Sequence, residues 1–277
     1  MPGIDEAKTP WPLIFSHIQV PRPRIEFHLH DGFEIYFLIS GDVKYFVEKK
    51  IYPLQYGDLM FTNNREIHKP SFQSDKLYER ICLEFHPSVI KPFCPPDFDL
   101  LGCFTNRQNG EQNKLTLTPR QTEEVMVLFN RIERLSADER QGSDLLRITC
   151  VVELLVYINR LFLHIGQDTE RTNIPEKLAP VLDYIDANLE GDLSLDTLEK
   201  AFYLNRFYLS KLFKESIGSN LHSYILYKRI AAAKQLLAEG ASVSQACARS
   251  GFNDYSNFLK QFKKTVGVTP GAYRRQG

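Results

Sequence analysis

The chain has 277 residues, 34 basic and 34 acidic side chains, and 43% hydrophobic residues, which is enough apolar material for two domains with separate cores. It contains no apolar run near the roughly 18 residues that a membrane span requires, and no basic-then-apolar secretory leader. The five cysteines include no CxxC pair, so reduced thiols in a cytosolic protein are expected rather than disulfides or a zinc knuckle.

The first part of the chain has the pattern of a β domain. Between Trp11 and Phe85, short runs rich in aromatic and β-branched residues (FEIYFLI, VKYFVEKKIYPL and DLMFTN) are interrupted by Gly, Pro, Asn and Asp. Their close spacing predicts a small antiparallel barrel or sandwich. The segment from Phe93 to Lys114 is irregular and is predicted to be mostly loop.

Two helices are predicted to follow the barrel, at about residues 118–135 and 143–164. Thr118 and Pro119 form a typical helix start. The second helix has a wide apolar stripe that predicts either a contact with a second subunit or a cover over the barrel. The stripe consists of Leu146, Cys150, Val151, Leu154, Leu155, Ile158, Leu161 and Phe162. The polar residues 167–173 are the predicted linker.

The last hundred residues are predicted to be helical, with a helix-turn-helix pattern that occurs twice. The two second-helix caps, Asn205 and Asp254, lie 49 residues apart. In chain order, the pattern predicts a helix over 174–188, a break at Glu190–Asp192, and helices over about 194–202, 205–216, 219–239, 242–250 and 254–266, with Thr269–Pro270 closing it.

Charge is distributed unevenly along the chain. Residues 200–277 contain thirteen Lys and Arg against three acids, a net charge of +10, so the other 199 residues carry 21 bases and 31 acids, a net charge of −10. A basic helical segment on an otherwise acidic protein is typical of nucleic-acid binding. An ordinary solvated face is the alternative interpretation of this charge.

In a helix-turn-helix, the second helix enters the major groove and its N-terminal half meets the base edges. The predicted base-contacting residues are Arg206, Phe207, Ser210 and Lys211 in the first repeat, and Tyr255, Ser256, Leu259 and Lys260 in the second. Lys214 and Lys263 are expected to contact phosphates, which adds affinity without sequence preference. The residues expected to face the domain interior are Leu209, Leu212, Phe213, Phe258 and Phe262.

The segment GFNDYSNFLKQFKKTVGVTPGAYR resembles the signature of AraC/XylS-type transcription regulators. The stretch LSLDTLEKAFYLNRFYLSKLFKESIGSNLHSYILYKRIAAAKQLL is similar to that family's first helix-turn-helix and linker helix, so the resemblance covers roughly residues 175–275. The resemblance implies that the base-reading positions are Phe207, Ser210 and Lys211 in the first repeat and Tyr255, Ser256, Leu259 and Lys260 in the second. Arg206 is not among them. Asn205 stands where the family usually has Ser, and Phe202-Tyr203 is a bulkier turn with apolar residues in the expected place.

A second set of candidate residues lies in the β region, where His28, His30 and Glu34 are spaced HxHxxxE and His68 follows later. On one strand, residues 28, 30 and 34 would share a face because the side-chain period is two. Three imidazoles and a carboxylate are ligand types of Zn, Fe, Mn or Ni. The preferred alternative is a metal-free cluster in which the histidines hydrogen-bond to Glu34 or to a ligand, since histidine clusters often have structural uses.

The stretch HLHDGFEIYFLISG also resembles the first cupin motif, and YGDLMFTNNREIH resembles the second. In AraC-type regulators this barrel is the effector-sensing domain, so the resemblance implies the fold more strongly than it implies a metal. Tyr36, Arg80 and Glu84 are expected to add polar contacts. The aromatic residues expected to stack against a sugar or another small organic ligand are Phe33, Tyr36, Phe37, Tyr45 and Phe61.

Together these features predict an α+β multidomain protein with a cupin-like β-barrel, accessory helices and a C-terminal all-α double helix-turn-helix domain. The predicted boundaries are 1–115 for the effector-sensing barrel, 116–172 for a helical dimerisation and linker region, and 173–277 for the DNA-binding domain. Its two motifs are expected at about 194–216 and 242–266.

The predicted function is sequence-specific transcription regulation, activation included, under control of a small-molecule effector such as a carbohydrate. The predicted effector-binding residues are His28, His30, Glu34, Tyr36, His68 and Arg80. The alternative is a metal-dependent cupin enzyme that uses His28, His30, Glu34 and His68. The expected partners are double-stranded DNA, the effector, a second copy of the chain and RNA polymerase, in the bacterial cytoplasm and on the nucleoid. No membrane contact is expected. No cofactor is expected either, although the alternative of a cupin enzyme would require a divalent metal.

Overall fold

The structure is a computed structural model that describes residues 13–21, 23, 25–164 and 172–276. Its β elements form two antiparallel sheets, with strand orders β1-β7-β2-β5-β8 and β6-β3-β4-β9. The strands are β1 (Leu13–Pro21), β2 (Phe33–Ser40), β3 (Val43–Val47), β4 (Lys50–Leu54), β5 (Asp58–Thr62), β6 (His68–Phe72), β7 (Leu77–Phe85), β8 (Lys114–Thr116) and β9 (Thr172–Asn173). The predicted cupin-like β domain is confirmed.

The described residues contain the predicted helices in the predicted order, together with three short helices that were not predicted. Those of the first part are α1 (Pro87–Ile90), α2 (Gly102–Thr105), α3 (Pro119–Ser136) and α4 (Ser143–His164), with a 3-10 turn over Lys91–Phe93. Those of the last part are α5 (Ala179–Ala187), α6 (Leu195–Phe202), α7 (Arg206–Ile217), α8 (Leu221–Ala238), α9 (Val243–Arg249), α10 (Tyr255–Val266) and α11 (Pro270–Gln276). The three that were not predicted are α1, α2 and α11. None of the helices in the described part of the chain is both long and apolar enough to cross a lipid bilayer.

Three boundaries differ from the sequence predictions. The helix predicted over 174–188 begins at Ala179, because the chain first turns at Pro175 and Pro180 then occupies the first turn, where its missing N–H costs nothing. Pro270 does not close the pattern but starts α11, for the same reason. The predicted linker lies largely outside the described residues, and its end forms β9, which pairs with β4 of the barrel.

Alternation along β2 assigns its side chains to two different cores. Phe33, Ile35 and Phe37 pack with α3 and α4 on the outer face of the sheet, while Tyr36 and Leu38 point into the barrel with Tyr45, Tyr52 and Tyr78. Three of the five aromatic residues expected to stack on a ligand (Phe33, Phe37 and Phe61) therefore belong to the outer core. That prediction was wrong for them because a period of two sends neighbouring side chains to opposite faces.

The apolar stripe of α4 covers the barrel. Five of its eight residues, Cys150, Val151, Leu154, Leu155 and Ile158, are buried with α3 against the outer face of the larger sheet. The large exposed apolar side chains of α3 and α4 are Val127, Leu145 and Leu163, which lie outside the stripe, and Leu146 at its start. The buried part of the stripe thus explains the packing of the helix on the barrel, and a contact between subunits would have to use mainly other residues.

The barrel and the C-terminal helices share a core. Phe27, Phe46, Ile51 and Ile67 of the barrel pack in one cluster with the apolar face of α5, α6 and α7, and Leu29 packs against the second helix-turn-helix. Burial of apolar surface is the main favourable term in such an association. The two halves of the chain are therefore in direct contact rather than joined only by a linker.

Two lysines of α8, of which Lys234 is buried and Lys228 half-buried, complete this contact. Lys234 is 5% exposed; its Nζ lies 2.6 Å from Asp31 Oδ1 and donates to the carbonyl oxygens of His30 (3.1 Å) and Asn64 (3.3 Å). Lys228 lies 2.7 Å from Glu48 of the barrel and 2.9 Å from Asp186 of α5. Charges taken out of water need such partners, so these lysines fix how α8 sits on the barrel.

We expect Lys234→Met to destabilise the protein by about 1–3 kcal/mol, because Asp31 and two backbone carbonyls lose their donor in a buried place. Urea unfolding monitored by circular dichroism measures the change. The control is Lys211→Met, which breaks an exposed contact with Glu215 (73% and 65% exposed) and should change stability by less than about 0.5 kcal/mol. Equal effects of the two variants would contradict the buried-contact interpretation.

Candidate nucleic-acid interface and effector site

Two short helices with matching caps form the candidate nucleic-acid interface. Asn205 accepts hydrogen bonds from the backbone N–H groups of Phe207 and Tyr208 at the start of α7, and Asp254 accepts one from that of Asn257 at the start of α10. The preceding helices α6 and α9 are capped in the same way by Ser194 and Ser242. The structure thus confirms the predicted repeat of a capped helix, a turn and a second capped helix.

The turns of the two repeats differ in how they reach the left-handed backbone region. Gly251 has φ +86°, whereas the first repeat uses Tyr203 at φ +53°. Tyr203 is 95% exposed, so only Phe202 of the bulky Phe202-Tyr203 pair packs inward, against Tyr184 at 5.4 Å between ring centroids. The expectation of apolar residues in the family's usual place in this turn therefore holds for Phe202 and not for Tyr203, whose side chain faces solvent.

The exposed faces of α7 and α10 contain most of the predicted DNA-contacting residues. Leu209, Phe213, Phe258 and Phe262 are buried, as predicted. On the opposite faces, Ser210 and Leu259 are half-buried, and Leu259 packs against the core of the second repeat. The exposed predicted residues are Arg206, Phe207, Lys211, Lys214, Tyr255, Ser256, Lys260 and Lys263. Their role in DNA binding stays a prediction.

Arg206 is already engaged within the first repeat. Its guanidinium lies 2.6 Å from Asp196 of α6 and 5.3 Å from the ring of Phe207. A DNA base or phosphate would have to compete with this carboxylate. The other predicted cation of the first repeat, Lys211, has a longer contact within the protein than Arg206 has. Its contact is with Glu215, which lies 3.8 Å away on the same helix face.

Part of the basic charge of the C-terminal segment is used inside the protein. Lys228 and Lys234 pair with acids of the barrel and α5, and Arg229 donates to the backbone carbonyls of Leu189 and Gly191. The net charge of +10 therefore overstates the charge that this segment offers to DNA. The exposed lysines of α7 and α10 carry the part that faces solvent.

The second candidate site is a polar cluster around Glu34 on the inner face of the barrel. The Glu34 side chain is 8% exposed; Oε1 accepts a hydrogen bond from Tyr45 at 2.8 Å and lies 3.8 Å from Nε2 of His68, while Oε2 lies 3.4 Å from Nε2 of His30. The rings of His28 and His68 meet edge to face, with centroids 4.2 Å apart. The predicted convergence of His28, His30, Glu34 and His68 is confirmed.

The route by which these residues meet differs from the prediction. His28 and His30 precede β2, and the chain bends at Asp31 and Gly32 before Glu34 enters the strand. A backbone bridge pairs His28 with His68, with N to O distances of 3.1 and 3.3 Å. The premise of one continuous strand was therefore wrong, and pairing with the start of β6 brings the histidines together instead.

Burial and charge set the protonation of this cluster. Burial lowers the pKa of His68 well below its usual value, and it also lowers that of His28. Burial alone would lower the pKa of His30, but the neighbouring Glu34 and Glu84 raise it to about 9. Burial alone would raise the pKa of Glu34, but the neighbouring His30, His68 and His28 hold it well below its usual range. At neutral pH the cluster thus contains an ionised Glu34, a charged His30 and two neutral histidines.

Tyr36 and Arg80 border this cluster. Strand pairing places Leu38 opposite Arg80 and Tyr36 opposite Cys82, so Arg80 and Tyr36 lie on the inner face of the sheet. The Arg80 guanidinium donates to the hydroxyl and carbonyl oxygens of Ser16 on β1. The Tyr36 ring lies 4.8 Å from that of Tyr45 and is buried. Sequence reasoning missed Tyr45 as a polar partner of Glu34, because it classed this residue only as an aromatic stacking surface.

Comparison with known proteins gives a consistent result for both halves of the chain. Residues 12–155 match the family described as AraC-like ligand binding domain, and residues 198–276 match a helix-turn-helix domain. The regulatory protein PocR of Salmonella typhimurium is 38% identical over 101 residues, which is 36% of this chain and 33% of PocR. An HTH-type transcriptional regulator of Staphylococcus aureus (strain COL) is 24% identical over 243 residues, which is 86% of this chain and 31% of that protein. The chain spans about a third of the length of these relatives.

Two solved structures that match this chain cover different shares of it. A protein from Listeria innocua is 33% identical over 37% of this chain and 97% of its own, with a TM-score of 0.35. An apo form of ToxT from Vibrio cholerae matches 94% of this chain and 97% of its own at 15% identity, with a TM-score of 0.41.

Gly251→Ala should destabilise the second repeat by about 1–3 kcal/mol. The residue needs positive φ, and a Cβ atom there would lie 1.9 Å from the carbonyl oxygen of Leu189. The matched control is Gly271→Ala, where a Cβ atom meets nothing within 4 Å and φ is not positive, so the melting temperature should stay the same or rise slightly. Differential scanning calorimetry of both variants tests this turn, and equal melting temperatures would refute it.

Proposed function

The chain belongs to the AraC family of transcription regulators, and we propose that it binds operator DNA sequence-specifically through α7 and α10 under the control of a ligand in its barrel. The observation that carries the proposal is the pair of capped helices with exposed Lys, Ser, Tyr and Phe side chains on one domain. Side chains of these types pair with base edges and phosphates in the major groove.

Helix α8 gives this proposal a physical route between ligand and DNA. It lies between the two helix-turn-helix motifs in the chain, and its Lys228 and Lys234 contact the barrel. A ligand that binds two arrangements of this contact with different affinity would shift the population of DNA-binding states. Lys234 contacts the His30–Asp31 segment directly, so it connects the polar cluster to α8.

The chemistry of the barrel interior restricts the proposed effector. Tyr36, Tyr45, Tyr52 and Tyr78 are all buried there, and the Tyr36 and Tyr45 ring centroids are 4.8 Å apart. A carbohydrate could enter only if these rings moved. The alternative of a metal-dependent enzyme gains no support from the family, whose members are transcription regulators.

The regulator is further proposed to act in the bacterial cytoplasm as a homodimer. Val127, Leu145 and Leu163 are 64–70% exposed on α3 and α4 and offer apolar surface for a second copy. Activation through contact with RNA polymerase is the mode that we propose for the DNA-bound form. Each half-site of the operator would then extend over two successive major grooves, about 34 Å apart, one for each reading helix.

Footprinting of the promoter region next to the gene tests the proposal. Lys211→Ala and Lys260→Ala should each lower affinity for the protected site by about 1–3 kcal/mol if they contact guanine. The same loss on random DNA, with a salt slope reduced by about 1, would assign them to phosphates instead. The control is Lys76→Ala, an exposed lysine of the barrel, which should leave affinity unchanged. Absence of any protected site at modest salt would refute sequence-specific binding.

Val127→Glu combined with Leu163→Glu should shift the protein from dimer to monomer, because charges replace exposed apolar side chains at the proposed contact. Light scattering after size exclusion measures the mass. The control Leu77→Glu changes an apolar residue of β7 that is 47% exposed, and it should leave the mass unchanged. A wild-type protein that elutes as a monomer at all concentrations would contradict the proposed dimer.

A further inference from the structure

We propose that the barrel binds one divalent transition-metal ion through His28, Glu34 and His68. One ligand atom of each residue lies within 4.8 Å of those of the other two. Imidazole nitrogen and carboxylate oxygen are ligands of Zn²⁺ and its neighbours in the first transition series. The inference deepens the proposed function by naming the class of ligand, and it rests on that function only for the consequence on DNA binding.

The histidines are oriented as metal ligands are. Nδ1 of His28 lies 3.1 Å from the carbonyl oxygen of Glu26, and Nδ1 of His68 lies 2.8 Å from that of Glu66. A carbonyl oxygen can only accept, so in each neutral ring the proton is on Nδ1 and the lone pair is on Nε2. Hydrogen bonds of this kind commonly fix the tautomer and ring orientation of metal-binding histidines.

The Nε2 atom of His68 lies near the Glu34 carboxylate. It is completely buried and has no hydrogen-bond partner among the described residues, and Glu34 Oε1 lies 3.8 Å away. Buried polar atoms in folded proteins nearly always have a partner. A cation between His68 and Glu34 would supply that partner and would also interact favourably with the carboxylate.

Tyr45 holds the carboxylate in place. Its hydroxyl donates to Glu34 Oε1 at 2.8 Å, and the ring itself is fully buried. His30 Nε2 lies 3.4 Å from the other carboxylate oxygen, and His30 is outside the group of three residues whose ligand atoms lie within 4.8 Å of one another. The predicted metal set of four residues is thus reduced to three ligands, with Tyr45 and His30 as neighbours that orient Glu34.

The backbone holds the proposed ligands close together and leaves the site accessible to an ion. The bridge between His28 and His68 holds their Cα atoms side by side before any ion arrives. His28 is only half-buried, so an ion can reach the cluster from its side. A site of preformed ligands with an open side is the arrangement expected for reversible binding.

Metal binding would affect the contact between the barrel and α8. Two ligand atoms that are each about 2.1 Å from one ion can be at most about 4.2 Å apart, so an ion would hold the three ligand atoms, which now lie within 4.8 Å of one another, to that limit. It would thereby restrain the His28–Asp31 segment, and Lys234 of α8 contacts both the His30 carbonyl and Asp31. An ion in the barrel can thereby change the position of the helix that joins the two DNA-reading motifs.

Calorimetric titration of untagged, EDTA-treated full-length protein with ZnCl₂, in the absence of DNA, tests the site. We expect one ion per chain, and at least a 10-fold loss of affinity in His28→Gln and in Glu34→Gln. Tyr45→Phe should weaken binding by about 10-fold, because it removes the hydrogen bond that orients the carboxylate. Titration with CoCl₂, followed by visible absorption, should report a low-coordinate nitrogen and oxygen site that both Gln variants lose.

The matched control is His222→Ala, which removes an exposed histidine on α8 and should leave zinc affinity unchanged. Circular dichroism of the metal-free variants shows whether each one folds. If Glu34→Gln does not fold, the test rests on His28→Gln, which changes a half-buried residue. Zinc binding that is absent at 100-fold excess over protein, or equal in wild type and both Gln variants, would overturn the site. Because the titration contains no DNA, its outcome is independent of the footprinting result.

Discussion

The contact between α8 and the barrel is the interaction on which the rest of the structure depends. Lys228 and Lys234 place two ammonium groups in a largely dry interface, and the acids Glu48, Asp186 and Asp31 are positioned to receive them. A buried charge without a partner costs several kcal/mol, so the domains have few ways to meet. Since α8 also joins the two helix-turn-helix motifs, the same contact fixes the barrel relative to both α7 and α10.

This contact changes the meaning of the charge pattern. The excess of Lys and Arg in the C-terminal segment is typical of nucleic-acid binding, and exposed lysines on α7 and α10 are consistent with that. Lys228, Arg229 and Lys234 have a different use, because they bind acids or carbonyl oxygens within the protein. A charge count cannot separate the two uses, since a side chain's partner is set by folding rather than by composition.

In the polar cluster of the barrel, by contrast, the residue types predicted the site correctly, whereas the predicted strand geometry was wrong. Three histidines and a glutamate in the β region predicted a common site, and they do converge on Glu34. The predicted single strand failed because the chain bends at Asp31–Gly32, and the pairing of His28 with His68 replaces it. Pairing between segments forty residues apart leaves no local signal in the sequence.

The sequence by itself determined where the four capped helices of the two helix-turn-helix motifs begin, and the class of the protein. Caps such as Ser194, Asn205, Ser242 and Asp254 act on backbone groups two or three residues away, so local sequence is sufficient to place them. Only the tertiary structure decided which face of β2 lines the barrel, that α4 covers the sheet, and that Lys234 joins the barrel to α8. Those outcomes depend on burial and on partners far away in the chain, and no local rule contains them.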